Sequence, residues 1–223
     1  MAAITHVIFD FDGVLIDSEQ VYSEAVRTLL RMAGLEGRVT PAEYTEAYDV
    51  ELDRALCECP ELPAASKLID HFHAHGIPLA ICTGSDAKEF EIKTDKCYRH
   101  WLEKIPLQVL CGSDPEVTHG KPSPIPYQVT MRRMEQPPAS PAHVLVFEDS
   151  LNGARSAVAA GTRCGSFFRS FGRMIPLFSV MIPQPQFLDE AGKKQVDELR
   201  PQLAEVLNSL EEFDPTKYGL PPF

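Results

Sequence analysis

Apolar positions along this chain fall into two rhythms that alternate: short unbroken runs, and stripes at helical spacing. The run HVIFD (6–10) is apolar on both faces, as a strand inside a parallel sheet requires. The runs IPLAICTGS (77–85), LQVLCG (107–112) and HVLVFED (143–149) repeat that pattern. Between them the apolar positions return every three or four residues, predicting helices over roughly 86–103, 125–135 and 152–161. Strands that alternate with helices predict an α/β fold, a Rossmann-like parallel sheet covered on both faces.

The stretch between the first two strands carries helical spacing only. A stripe at Val21, Tyr22, Ala25, Val26, Leu29, Leu30 and Ala33 ends at Gly34. Thr40, Pro41 and Glu43 then form a capping box that starts a helix reaching about residue 58. A third helix through Leu68, Ile69 and Phe72 stops at Gly76. Residues 16–76 are therefore expected to be a small helical cap inserted after the first strand, with 1–15 and 77–223 as the core. Beyond AAGTRC the alternation stalls, and 165–179 reads as an insertion in the core. Either CGSFF or FSVMI can fill the fifth strand position. Leu199, Leu203, Val206 and Leu210 predict one more amphipathic helix before the tail FDPTKYGLPPF.

Composition narrows the function classes. With 223 residues, 44% hydrophobic and 24% charged, the chain can bury a full core as one domain with an insertion. A net charge of −11 argues against a nucleic-acid surface or an anionic membrane face. The opening MAAITHVIFD has no basic n-region or long apolar h-region, and GSFFRSFGRMIPLFSVMIP is interrupted by Arg169, Arg173 and Pro176. A cytoplasmic protein with reduced thiols is expected, a monomer with no nucleic-acid or membrane partner. Cys57, Cys59, His71 and His75 come near zinc-finger spacing, but one residue between the cysteines is tight for a shared site. Cap packing and a helix surface explain them better.

In open α/β sheets ligands bind at the carboxyl ends of the strands. There this chain places Asp10 and Asp12, then Thr83, Gly84 and Ser85, then Lys121 in HGKPSP, then Glu148 and Asp149. Each group alone suits a blander role: DFDG a solvated turn, FEDS a strand end and helix cap. Together they suit phosphoryl transfer. Clustered carboxylates need a counter-charge, which Mg²⁺ with its taste for oxygen supplies. A carboxylate can attack phosphorus, and a second carboxyl two residues on can protonate the leaving oxygen. Thr83, Ser85 and Lys121 would hold non-bridging oxygens, with Gly13 and Gly84 allowing the backbone to approach.

FDFDGVLIDSE, ICTGS, GKPSP and VFEDSLNG resemble, in order, the four motifs of the haloacid dehalogenase-like hydrolases, in the subgroup with a helical cap after the first motif. HGIPLAICTGS, GSDPEVTHGKPSP, LVFEDSLNG and the ending YGLPPF are similar to its pseudouridine-5′-phosphatase branch. The resemblance implies a phosphoric monoester hydrolase working through an aspartyl-phosphate on a small phosphorylated metabolite, with pseudouridine 5′-phosphate as the implied substrate. It implies Asp10 as nucleophile, Asp12 as general acid and base, and Thr83 and Lys121 as phosphate ligands. Mg²⁺ would be held by Asp10, the Asp12 backbone carbonyl and Asp149, with Glu148 direct or through water.

The chain departs from that pattern in its cap. Only AGLEGRV separates the first two cap helices, roughly thirty residues short and far beyond ordinary loop variation. The hinge reads LPAA where relatives carry Pro-Gly, so Ala64 would stiffen a closing motion. An alternative follows: an impaired variant with a shortened cap, acting as a binding protein or having no activity. Phosphoglucomutase-like transfer ranks last, since it needs a complete cap.

Overall fold

The structure, a computed structural model, describes residues 4–18, 20–22, 24, 31, 52–162, 178–183 and 190–223. Six parallel strands form one sheet in the order β3-β2-β1-β4-β5-β6. They are β1 (His6–Phe9), β2 (Leu79–Thr83), β3 (Leu107–Leu110), β4 (Val144–Glu148), β5 (Phe178–Met181) and β6 (Glu205–Val206). The order runs outward from β1 on one side, then restarts at β4 on the other, so the topological switch point lies between β1 and β4. Register pairs Phe9 with Ile81 on one flank and with Phe147 on the other. Residues just past β1 and β4 therefore emerge side by side. The expected α/β class and Rossmann-like core are as observed.

Alternation along the strands feeds two packed layers. On one face Val7, Phe9, Ile81, Leu145, Phe147 and Val180 meet α1 (Ala65–Ala74) through Leu68, Ile69 and Phe72. Phe9 stacks on Phe147 with ring centroids 5.1 Å apart, and Phe213 from the C-terminal segment meets Phe147 edge-on at 4.9 Å. On the other face Ile8, Ala80, Cys82, Val144 and Val146 pack on Tyr127 of α4 (Ile125–Arg133) and Ala157 of α5 (Leu151–Thr162). Cys82 is part of that core, and burial pushes its thiol well up from the ordinary range.

Two expectations shift and one open choice is settled. The helix over 86–103 is two, α2 (Ala87–Asp95) and α3 (Arg99–Leu102), because Tyr98 leaves helical geometry to stack on Trp101 at 4.2 Å. The amphipathic helix through Leu210 ends early: α6 (Glu190–Leu199) is followed by a 3₁₀ turn at Arg200–Gln202, where Pro201 can offer no amide to continue the ladder. Val206 lies instead in β6, which two residues of alternation could not announce. The strand next to β4 is FSVM, which settles the choice left open for that position in favour of FSVMI.

Part of the expected cap, residues 19, 23, 25–30 and 32–51, lies outside the described residues, as does 165–177 of the expected insertion. Ala64, at the expected hinge, takes φ 69, in the left-handed region where an L residue costs about 1–2 kcal/mol. The tail packs on the domain, with Leu220 buried and the Pro221 carbonyl 2.9 Å from His71 Nε2. Among the described residues no helix is long and apolar enough to cross a membrane.

Candidate active site

The crevice at the carboxyl ends of β1, β2 and β4 gathers every residue singled out from the sequence. Asp10 follows β1, and its amide donates to the Phe147 carbonyl of β4 at 2.9 Å, extending the ladder one step past the strand. Thr83 ends β2 and Glu148 ends β4, both fully buried. Asp149 and Ser150 follow, and the Ser150 hydroxyl accepts the Gly153 amide at 3.0 Å to cap α5. The cap role expected of Ser150 and the site role of its neighbours therefore coexist. A cavity of about 300 Å³ opens here, lined by Asp10, Asp12, Gly84, Ser85, Lys121 and Asp149, with Tyr22 and Glu89 at its rim.

Two lysines organise the charge. Lys121 donates to Asp10 Oδ1 at 2.9 Å, to the Cys82 carbonyl at 2.9 Å and to Glu148 Oε1 at 2.6 Å, using all three of its protons. The Tyr127 hydroxyl donates to the same Glu148 oxygen. Burial first, then the Glu148 charge, pushes the Asp10 carboxyl up to about 8, with Lys121 pulling the other way. Burial works to lower Lys121, but the charges of Asp10 and Glu148 carry it well above its ordinary range.

The second lysine is Lys93, on the buried face of α2 beside Phe90 and Thr94. It donates to Asp12 Oδ1 at 2.5 Å, Glu89 Oε1 at 2.8 Å and Ser85 Oγ at 3.0 Å. The other Asp12 oxygen accepts from Ser85 Oγ at 2.9 Å and Thr83 Oγ1 at 3.2 Å. Burial acts to raise the Asp12 carboxyl, yet the Lys93 ammonium overrides it and holds the group below the usual carboxylate range. Thr83 and Ser85, expected to face a phosphate, here face Asp12.

The donor set suits a hard divalent cation. Carboxylate oxygens of Asp10, Glu148 and Asp149 lie within 4.8 Å of one another, and this is the one such group of potential ligands among the described residues. Two glycines keep it open. A Cβ on Gly13, which takes φ 71, would stand 2.1 Å from Asp149 Oδ2, and one on Gly153 would stand 1.9 Å from Glu148 Oε2. Cys57, Cys59, His71 and His75 are not brought together in any such group among the described residues.

Sequence reasoning missed Lys93, Glu89 and Tyr127. The available signal was spacing: Lys93 falls three residues after Phe90, on the apolar stripe of its helix.

A family model described as haloacid dehalogenase-like hydrolase matches residues 30–161. The chain belongs to that family. It is 31% identical over 249 residues to (DL)-glycerol-3-phosphatase 1, mitochondrial, of Arabidopsis thaliana, covering 99% of this chain and 75% of the relative. To the Drosophila melanogaster protein named "Probable pseudouridine-5'-phosphatase" it is 30% identical over 246 residues, 99% of this chain and 96% of that one. A solved haloacid dehalogenase family hydrolase from Deinococcus radiodurans shares the fold, with a TM-score of 0.67 at 22% identity across 100% of both chains. The expectation of a phosphoric monoester hydrolase is met at the level of class: the family is one of hydrolases, and its relatives here are named as phosphatases.

Proposed function

We propose that this hydrolase is a Mg²⁺-dependent phosphomonoesterase acting on a small phosphorylated metabolite through an aspartyl-phosphate on Asp10. The observation that carries the reading is the setting of Asp10 at the end of β1. It stands 2.9 Å from a lysine ammonium and groups with Glu148 and Asp149, while a second aspartate, Asp12, follows two residues on.

In the first half-reaction an Asp10 carboxylate oxygen bonds to phosphorus as the ester P–O bond breaks. The electron pair leaves on the ester oxygen, which takes a proton from Asp12. In the second half Asp12 takes a proton from water, the water oxygen bonds to phosphorus, and the bond from Asp10 to phosphorus breaks. Asp10 regains its carboxylate, Asp12 its proton, and inorganic phosphate leaves. Lys121, Thr83, Ser85 and the Gly84 backbone hold the non-bridging oxygens. Asp10, Glu148, Asp149 and the Asp12 carbonyl would hold Mg²⁺, which would supply neutralising charge to an anionic ester.

The test is phosphate release in a screen of nucleotide, pseudonucleotide, polyol and sugar phosphates, with an aryl phosphate as generic probe. Pseudouridine 5′-phosphate and glycerol 3-phosphate head it, because relatives carry those names. Release that falls at least about a thousandfold in Asp10→Asn, and likewise on chelation of Mg²⁺, is expected. Activity retained in either arm would sink the mechanism. A second reading, an impaired protein that keeps the crevice and turns nothing over, draws on one observation. The alignment to the Arabidopsis relative runs over 249 positions, more than this chain's 223 residues, so that relative carries residues this chain lacks. A folded protein that binds Mg²⁺ and releases no phosphate from any ester would favour it. A monomer working in the cytoplasm, without nucleic-acid or membrane partners, fits the net charge of −11.

A further inference from the structure

A lysine whose side chain is 1% exposed is costly to keep, and Lys93 occupies a helix face where an apolar residue would pack at no such cost. All three of its protons are spent, on Asp12 Oδ1, Ser85 Oγ and Glu89 Oε1. Glu89 lies one turn earlier on the same helix and accepts the Tyr22 hydroxyl, so the ammonium is itself held from behind. The two Asp12 oxygens are served differently. One accepts from Lys93, and the other accepts from the hydroxyls of Thr83 and Ser85.

We infer that Lys93 is a positioning residue for Asp12, anchoring one carboxyl oxygen so that the other is free to exchange a proton with the leaving group. This rests on the phosphatase reading above. When Thr83 and Ser85 turn to the phosphate oxygens, they release Asp12 Oδ2 towards the ester oxygen, while Lys93 keeps Oδ1 and prevents the side chain from rotating away. Lys93 touches no reacting atom in this account.

The test compares kcat/KM for two esters, p-nitrophenyl phosphate and an alkyl phosphate. An aryl oxide departs without help, whereas an alkoxide needs the proton of Asp12. Lys93→Met should lower kcat/KM for the alkyl ester about a hundredfold, with a loss on the aryl ester at least about tenfold smaller. In an Asp12→Asn background, Lys93→Met should leave the ratio of alkyl to aryl rates where Asp12→Asn alone puts it. Equal losses on both esters, or a further change of that ratio, would overturn the inference. Lys93→Gln, which keeps hydrogen-bond donors without the charge, replaces Lys93→Met if the latter does not fold. Failure of both to fold would mean that the lysine serves the fold alone. The two readings fail separately: a wild-type protein without Asp10-dependent release removes the phosphatase, and equal losses in an active enzyme remove only the role of Lys93.

Discussion

Asp10 and Asp12 sit two residues apart, and each faces a buried lysine, yet their surroundings push them in opposite directions. Asp10 goes up to about 8, while Asp12 goes down. The lysines alone do not explain it, since both are shared with a glutamate. What differs is where that glutamate sits and how many donors each aspartate has. Glu148 is 0% exposed and competes with Asp10 inside the protein, whereas Glu89 is 30% exposed and reaches solvent. Asp12 also accepts from two hydroxyls, while Asp10 lies among carboxylates. Environments that drive two acids apart let one crevice hold both a buried acid awaiting a cation and a carboxylate placed to take a proton from water.

The sharpest way to break this contrast is to remove the lysines in turn. Lys121→Met leaves Asp10 and Glu148 buried with no cation, and should cost about 3–5 kcal/mol in urea unfolding with chelator present. Mg²⁺ should return part of that stability, because a divalent ion binding the folded state alone replaces the missing charge. Lys93→Met should cost about half as much and recover nothing with Mg²⁺, since Asp12 is 22% exposed and can be hydrated. Equal costs, or equal recovery, would show that the two aspartates are not in different settings after all.

The sheet and the positions of the site were legible in the sequence because both depend on local pattern. Buried parallel strands are continuous apolar runs, and the residues that end them must reach the crevice whatever the loops do. Lys93 was harder to read: its spacing from Phe90 puts it on the apolar stripe, but a lysine in EFEIKTD passes for a solvated helix face until the helix is docked. The break between α2 and α3 was hidden for the same reason: Tyr98 donates to the Cys59 carbonyl and Trp101 Nε1 to Ser66 Oγ, partners that only the packed fold supplies. The fate of Val206 turned on pairing with Met181, a partner that only the sheet supplies.

Gly13 offers a smaller perturbation of the acidic side. It takes φ 71, and a Cβ there would stand 2.1 Å from Asp149 Oδ2. Gly13→Ala should therefore destabilise by about 2 kcal/mol, summing a left-handed alanine and a displaced carboxylate. Displacing Asp149 should also weaken Mg²⁺ binding about tenfold or more by calorimetry. The alkyl-to-aryl selectivity, which depends on Asp12, should hold. Unaltered metal affinity would remove Asp149 from the cation site.

The smallest effect comes from an aspartate outside the crevice. Asp114 accepts from both terminal nitrogens of Arg133, one at 3.0 Å, and from the Glu116 amide at 3.0 Å. The Arg133 guanidinium holds its carboxyl below the ordinary range, against the effect of burial. A carboxyl depressed in the folded state adds stability that is present above its unfolded value, about 3.9, and is lost as pH falls through the folded one. Asp114→Asn should thus be less stable than the wild type near pH 7 by on the order of 1 kcal/mol or below, and the gap should close as urea midpoints are followed towards pH 3. Taking the difference between the two proteins in chelator cancels the crevice, whose own carboxylates titrate equally in both. A gap that stays constant with pH would mean that Arg133 does not depress Asp114. The surface cluster in which Arg133 serves both Asp114 and Glu116 would then fail as the case against which Asp10, buried among carboxylates, stands out.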